Sequence, residues 1–128
     1  MSESGVASRV RLDAANIGLN LWRNNVGVLL DQTGRPVRYG LANDSKKMNR
    51  NIKSSDLIGV RTILITPDMV GELVGVFTAV ETKHPDWSFK ASDQHSVAQK
   101  NFHDIVKNAG GYAGFATCVD DFRRIITK

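Results

Sequence analysis

Cysteine is almost absent from this chain of 128 residues, in which Cys118 is the single example. One thiol excludes an intramolecular disulfide and gives no basis for a cysteine-bound metal cluster, so the composition fits a reducing cytoplasm. Residues 1–10 lack the hydrophobic core of a signal peptide, and no apolar run approaches the length that spans a bilayer. We therefore expect a cytoplasmic protein with no membrane partner.

Linkers and internal repeats are also missing, and the length suits one compact domain covering residues 1–128. Apolar residues make up 41% of the chain and charged residues 23%, which indicates a globular fold rather than a disordered chain. The 17 Lys and Arg residues exceed the 13 Asp and Glu residues, and the resulting formal charge of +4 favours polyanionic partners.

Basic residues concentrate in the stretch from residue 35 to residue 61, which only Asp44 and Asp56 interrupt. This pattern is typical of a phosphate-facing surface, although a solubilising loop has the same composition. The basic residues of the stretch are Arg35, Arg38, Lys46, Lys47, Arg50, Lys53 and Arg61.

The first part of the chain predicts a helix and a hairpin. Apolar residues recur near helical spacing over Ser8–Leu19, so we expect a first helix that ends near Gly18. Two strands should follow, at Leu21–Leu30 and Val37–Tyr39, because the polar segment between them suits a hairpin turn.

A second hairpin is predicted further along. Residues 41–55 carry almost no apolar side chains and predict a loop. Beyond them, Leu57–Ile65 and Leu73–Thr82 are rich in β-branched residues and are apolar on both faces, so we expect two central, covered strands. The turn should lie in Thr66–Gly71.

The C-terminal part predicts an amphipathic helix from Ala98 to Ala109, a strand over Tyr112–Val119, and a short helix that Asp120 caps and that runs through Ile126. The predicted order of elements is therefore α-β-β-β-β-α-β-α. We expect an α/β (α+β) fold with a mixed central sheet flanked by helices.

Glu81 and Lys83 stand two residues apart in a predicted strand, so their side chains share a face. Alone, this triplet is common at solvated strand ends. If the second hairpin turns between Asp68 and Met69, however, Asp56 lies opposite Glu81, unless a bulge shifts the register. Opposed carboxylates repel unless a proton or a cation lies between them, and a divalent metal such as Mg²⁺ explains the pair.

A carboxylate-bound Mg²⁺ keeps open positions for a phosphate and a water, which suits phosphodiester hydrolysis. Lys83 can orient or help deprotonate that water, or stabilise charge that grows on the phosphorane. Gln99 borders the buried face of the predicted helix, where its amide can hold a water or Lys83. An ordinary boundary glutamine bonded to the backbone is the alternative.

Asp56, the triplet from Glu81 to Lys83, and Gln99–Phe102 occur in the order of the PD-(D/E)xK nuclease superfamily. Further segments resemble the VRR-NUC family of that superfamily, especially its small stand-alone members in phages. These segments are Trp22–Gly27, Gly34–Leu41, Ser54–Val60, Phe77–Lys83 and Gly110–Gly114, and the resemblance extends from Trp22 to Ile126.

The resemblance implies a restriction-endonuclease-like core and hydrolysis of DNA with Mg²⁺ or Mn²⁺; we expect no nucleotide cofactor. Stand-alone members are similar to homodimeric enzymes that cut branched DNA such as four-way junctions, and a phage-encoded member would act in the host cell. The resemblance also implies that Asp56 and Glu81 bind the metal, with the Thr82 carbonyl as a further ligand. Lys83 becomes the catalytic lysine, and Gln99 becomes the helix glutamine of the active site.

Two positions depart from the family pattern. The family commonly has a glutamate on its first helix near the metal, for which Glu3 is the nearest candidate and Asp13 the alternative. His103 stands where related nucleases often have tyrosine, as a phosphate contact or a surface residue. Trp87 and Phe89 fit a cover over the core, a dimer contact or a base-stacking surface, and the sequence does not choose among these.

DNA contacts are expected from the basic stretch and from two further pairs of residues. Strand alternation places Arg23 and Asn25 on one face, where they touch DNA or the reaction centre, or form a half-exposed polar surface. Ser54 and Ser55 can donate to phosphate. The predicted contacts are Arg23, Asn25, Arg35, Arg38, Lys46, Lys47, Arg50, Lys53, Ser54 and Ser55.

The sequence thus favours a metal-dependent DNA endonuclease that selects branched DNA. Two alternatives stay open. One is a non-catalytic DNA-binding module that keeps the nuclease fold, and the other is a restriction-type endonuclease that reads base sequence.

Overall fold

The computed structural model describes residues 2–127, which contain four α-helices and six strands. The helices are α1 (Glu3–Asn16), α2 (Lys46–Asn51), α3 (Gln94–Asn108) and α4 (Val119–Ile125). The strands are β1 (Asn20–Arg23), β2 (Gly27–Leu30), β3 (Pro36–Tyr39), β4 (Leu57–Val60), β5 (Thr78–Thr82) and β6 (Tyr112–Ala116). The fold is therefore mixed α and β, as the sequence predicted.

The strands form three two-stranded sheets, β1 with β4, β2 with β3 and β5 with β6. The chain divides into two compact units, unit 1 (Met1–Gly59) and unit 2 (Val60–Lys128). No described helix is long and apolar enough to cross a membrane.

In unit 1, α1 begins five residues before the predicted start because the Ser2 hydroxyl caps it and accepts a hydrogen bond from the Gly5 amide at 3.1 Å. The helix ends at Asn16, followed by Gly18 with a φ of +74°, so the predicted end near Gly18 is confirmed. β1 and β4 lie so close together that a Cβ on Gly59 would overlap the Asn20 carbonyl. Only glycine fits at this position.

The hairpin predicted around Asp31–Pro36 is confirmed, since β2 and β3 pair antiparallel with Leu30 opposite Pro36. The Asp31 carboxylate accepts hydrogen bonds from the amides of Thr33 and Arg35 at 2.8 and 2.9 Å, which fixes the turn. The first predicted strand, in contrast, is two strands, because residues 24–26 leave regular structure between β1 and β2.

The prediction of a loop throughout residues 41–55 is wrong, because α2 forms within them. Ser45 caps this helix, and its hydroxyl accepts a hydrogen bond from the Met48 amide at 3.0 Å. A polar six-residue helix has no apolar periodicity, so the sequence pattern did not indicate it.

In unit 2, β5 and β6 pair in parallel and α3 connects them. α3 contacts both strands, and α4 contacts β6. The buried core of this unit includes Val106 of α3 with Ala113 and Ala116 of β6. The predicted helix before Gly110 is confirmed, and Gly110 ends it with a φ of +99°.

The C-terminal elements differ from the prediction at the end of the strand and at the start of the helix. β6 ends at Ala116, and Cys118 rather than Asp120 occupies the N-cap position of α4. Asp121 instead stabilises the chain before the helix, where its carboxylate accepts hydrogen bonds from the Thr117 amide and hydroxyl at 2.9 and 2.7 Å.

The second predicted hairpin is wrong for the described residues. β4 pairs with β1, and β5 pairs in parallel with β6. The register partner of Glu81 is Phe115, not Asp56 as the hairpin arithmetic required. Residues 61–66 and 72–77 have no regular secondary structure, and the apolar side chains of Leu64 and Leu73, predicted to be covered, are exposed.

Candidate active site

The predicted Glu81 and Lys83 lie at the carboxyl end of β5. The Lys83 amide donates to the Ala116 carbonyl at 2.9 Å, so the β5–β6 ladder continues through this residue. In parallel strands joined by a helix, the carboxyl ends meet at one edge, which is the usual position of a ligand site. Local pairing therefore fixes the backbone that carries both charged side chains.

The two faces of the β5–β6 sheet are distinct. Val80, Thr82 and Lys83 line a cavity together with Phe122 of α4. A Cβ on Gly114, the partner of Val80, would contact Ile125 of the same helix. Residues on this face pack toward α4.

The opposite face carries Glu81. Its side chain lines a cavity of about 310 Å³ with residues of α3, and its register partner Phe115 contacts the His103 ring at a centroid distance of 4.7 Å. We call this space the Glu81 cavity; its lining residues are Glu81, His95, Ala98, Gln99, Phe102 and His103.

Gln99 lines the Glu81 cavity and carries a buried oxygen. Its Oε1 atom is inaccessible to solvent and has no hydrogen-bond partner among residues 2–127. The sequence left open an ordinary boundary glutamine bonded to the backbone, and the position of Oε1 does not match that alternative. An unsatisfied buried oxygen requires a donor or a cation, so Gln99 together with Glu81 fits a ligand that the chain itself does not supply.

His103 is a functional candidate whose burial the sequence analysis did not predict. It was predicted to be a phosphate contact or a surface residue, yet it is 5% exposed and follows Gln99 by one helical turn. Burial lowers the pKa of His103, while the neighbouring Glu81 carboxylate opposes that shift. The stripe of Gln99, His103 and Val106 at helical spacing was the signal for its burial.

Lys83 is held against an aromatic cluster formed by Trp87, Phe89 and Phe115. Its Nζ lies 5.4 Å from the centroid of Trp87 and 5.7 Å from that of Phe115. The ring centroids of Trp87 and Phe115 are 4.6 Å apart, and Phe89 lies 6.1 Å from Phe115. Of the three roles left open for Trp87 and Phe89, the contacts match a cover over this face of unit 2, and they hold a cation at its edge.

Asp56 belongs to unit 1, where it precedes β4 and is exposed. Its backbone carbonyl accepts a hydrogen bond from the Asn24 amide at 2.8 Å. The side chain of Asn24 also donates to the Ser54 hydroxyl and the Ser55 carbonyl, at 2.8 and 2.9 Å. Asn24 therefore fixes the approach to Asp56, a role that the alternation favouring Arg23 and Asn25 did not reveal.

The remaining predicted residues lie on unit 1. The Ser54 hydroxyl donates a hydrogen bond to the Leu41 carbonyl at 2.6 Å. Glu3 is in the first turn of α1, and the side chains of most of the other predicted DNA contacts are exposed. These exposed residues are Arg23, Asn25, Arg35, Lys46, Lys47, Arg50, Lys53 and Ser55.

Across the described chain, no group of three or more His, Cys, Asp or Glu side chains is arranged to hold a metal ion. The Glu81 cavity is instead lined by one carboxylate residue and by Gln99, whose amide oxygen has no partner among residues 2–127. Oxygen donors of these two kinds suit Mg²⁺, which retains several waters in protein sites.

No family model, curated protein or solved structure matches this chain. The residues of the Glu81 cavity therefore provide the structural support for a function.

Proposed function

We propose that this protein is a divalent-metal-dependent DNA endonuclease whose reaction centre includes Glu81, Lys83 and Gln99. One observation carries the proposal: Glu81 and Gln99 line one cavity, and the Oε1 of Gln99 is buried without a hydrogen-bond partner among residues 2–127. The Nζ of Lys83 lies 5.7 Å from the ring of Phe115, the register partner of Glu81. Two oxygen donors beside a fixed cation are the groups that phosphodiester hydrolysis requires.

Mg²⁺ would be held by the Glu81 carboxylate, the Gln99 amide oxygen and the Thr82 carbonyl, and Mn²⁺ should replace it. When bound, the metal supplies an activated water and neutralises charge on the phosphate. Asp56 and Glu3 remain ligands predicted from the sequence.

Lys83 acts in this proposal through its positive charge. Aromatic faces attract an ammonium group, so Trp87 and Phe115 favour the charged lysine and restrict its position. A fixed ammonium orients the attacking water and stabilises the negative charge that grows on the phosphate. Of the roles considered from the sequence, these two agree best with the contacts of Lys83.

His103 contributes a neutral imidazole, because burial lowers its pKa. A neutral ring forms no ion pair with Glu81, so it does not compete with a cation for that side chain. The T-shaped contact between His103 and Phe115 fixes the ring, which in turn keeps the wall of the Glu81 cavity in place.

We propose DNA as the substrate because the protein carries a net positive charge. The chain has a formal charge of +4, and the exposed basic residues between 35 and 53 can contact phosphates without reading bases. Together with the sequence resemblance, this supports a single-domain VRR-NUC nuclease with a restriction-endonuclease-like core. We further propose a cytoplasmic homodimer that prefers four-way junctions, since two-fold symmetry presents two reaction centres to opposed strands.

A cleavage assay tests the proposal. Purified protein is incubated with a labelled four-way junction and with a linear duplex of matching sequence, in Mg²⁺, in Mn²⁺ and in chelator. We expect cleavage with either metal, none with chelator, and faster cleavage of the junction. Equal cleavage of the two substrates would contradict the junction preference, and fixed cut sites in random duplex would indicate a restriction-type enzyme.

A further inference from the structure

Unit 1 contains a cavity of about 300 Å³ that is lined by both basic and uncharged polar side chains. Its lining includes the cations Arg38 and Lys53 and the polar residues Asn43, Asn49 and Ser54. None of the residues that line it, all within the described chain, is acidic. We call it the Arg38 cavity.

Arg38 is held in place by a buried amide. Its Nε donates to the Asn43 carbonyl at 3.0 Å, and its terminal nitrogen donates to Asn43 Oδ1 at 2.8 Å. Asn43 is 2% exposed, and its own amide donates to the carbonyls of Gly27 and Tyr39, both at 2.8 Å. The β2–β3 hairpin therefore positions the guanidinium before any ligand arrives, which reduces the entropic cost of binding.

Among the described residues, no carboxylate forms an ion pair with Arg38. The ion pairs of residues 2–127 involve neither Arg38 nor Lys53, although Arg38 is half-buried. A cation removed in part from water is stabilised by an anion close to it. Two of the five N–H donors of a guanidinium are used on Asn43, so others are available at the cavity.

Lys53 supplies the second cation. Its Nζ donates to the Asn49 carbonyl at 3.0 Å and to Asn49 Oδ1 at 2.8 Å, and an ammonium has three donors. The Ser54 hydroxyl is directed instead to the Leu41 carbonyl. The donors available for an anion are thus the planar guanidinium of Arg38 and the ammonium of Lys53. Proteins use both kinds of group to bind phosphate.

We propose that the Arg38 cavity is a subsite for a single phosphate group, either free phosphate or a phosphate of a nucleic acid. Arg38 provides directional hydrogen bonds and Lys53 provides charge. The site is independent of metal and of cleavage. Its assignment to a DNA phosphate rests on the proposed function, whereas binding of phosphate itself does not.

The test is a titration of isotope-labelled protein with inorganic phosphate in chelator, followed by NMR. We expect saturable shifts of the amides of residues 26–28 and 53–54, with affinity reduced about tenfold or more in Arg38→Gln, because the paired cationic donors are lost. Arg9→Gln is the matched control, since Arg9 is an exposed residue of α1 and its replacement makes the same change in charge. Because Arg38→Gln also loses two hydrogen bonds to Asn43, Lys53→Gln serves as the second variant and should weaken binding about threefold.

Oligonucleotides with and without a 5′-phosphate then distinguish the sources. If both oligonucleotides bind equally, the cavity binds a backbone phosphodiester. If only the phosphorylated oligonucleotide binds, the cavity binds a terminal phosphate. If neither binds, its ligand is free phosphate. Shifts elsewhere in the protein, or equal losses in Arg38→Gln and Arg9→Gln, would overturn the subsite. A protein that binds phosphate here yet cuts no DNA would refute the proposed function and leave the subsite intact.

Discussion

Replacing Gln99 with methionine should stabilise the metal-free protein while weakening its response to Mg²⁺. The buried Oε1 of Gln99 has no partner among the described residues, and leaving a buried polar atom unsatisfied costs about 1–3 kcal/mol. Methionine has a similar volume and a similar helix propensity, so the change removes the oxygen with little repacking. We expect the free energy of unfolding in chelator to rise by about 1–3 kcal/mol.

The assay is thermal unfolding by calorimetry, with and without Mg²⁺. In a chain of this size, 1 kcal/mol shifts the Tm by about 4 °C, so the gain is measurable. A ligand at 100 times its Kd stabilises the folded state by about 2.7 kcal/mol, and this increment should shrink in Gln99→Met because a ligand oxygen is lost. The variant would therefore be more stable than the native protein in chelator and gain less from Mg²⁺.

Gln94→Met is the matched control, because Gln94 is the exposed first residue of α3. We expect it to change the free energy of unfolding by no more than about 0.5 kcal/mol and to leave the Mg²⁺ increment intact. Two results would refute the proposal that Gln99 Oε1 binds a cation. One is a lower stability of metal-free Gln99→Met than of the native protein, and the other is an equal stabilisation of both proteins by Mg²⁺.

Two further predictions concern the scaffold. Gly59→Ala should destabilise the protein by about 2 kcal/mol or more in urea titration, because the added Cβ overlaps the Asn20 carbonyl. Gly75→Ala is the control and should not destabilise it, because a Cβ there meets no atom within 4 Å. Equal effects of the two changes would contradict the close contact between β1 and β4. Hydrogen bonds from the Thr117 hydroxyl and amide lower the pKa of Asp121 from 3.8 to about 2. The lowered pKa stabilises the fold above pH 4, and this contribution is lost as the pH falls toward 2. In Thr117→Val, NMR titration should give a higher pKa for Asp121, and an unchanged value would show that the hydroxyl bond does not lower it.

Local features of the fold could be predicted from the sequence because they depend on neighbouring residues. The Asp31 turn and the end of α3 at Gly110 follow from side-chain capping and from glycine's access to positive φ. Pairing of strands depends on partners distant in sequence, and periodicity does not specify them. The apolar segments around residues 57–82 therefore suggested a hairpin, while β5 pairs with β6 across the whole length of α3.

The candidate site was also predictable only in its local features. Alternation within one strand was sufficient to place Glu81 on the face of β5 opposite Val80 and Thr82, and the amphipathic pattern placed the half-buried Gln99 at the border of the core. The burial of His103 and the contact of Lys83 with Trp87 depend on side chains that meet only in the folded chain. Neither helical nor strand periodicity carries that information.

The most direct test of the central claim is the rate of junction cleavage in Mg²⁺ by the Lys83→Ala variant, beside Lys90→Ala. Lys90 is exposed and lies outside the Glu81 cavity. We expect Lys83→Ala to lose cleavage by about 100-fold or more while its affinity for the junction stays within about threefold, because the lysine stabilises the transition state rather than binding DNA. Cleavage by Lys83→Ala at the rate of Lys90→Ala, or no cleavage by the native protein, would contradict the account.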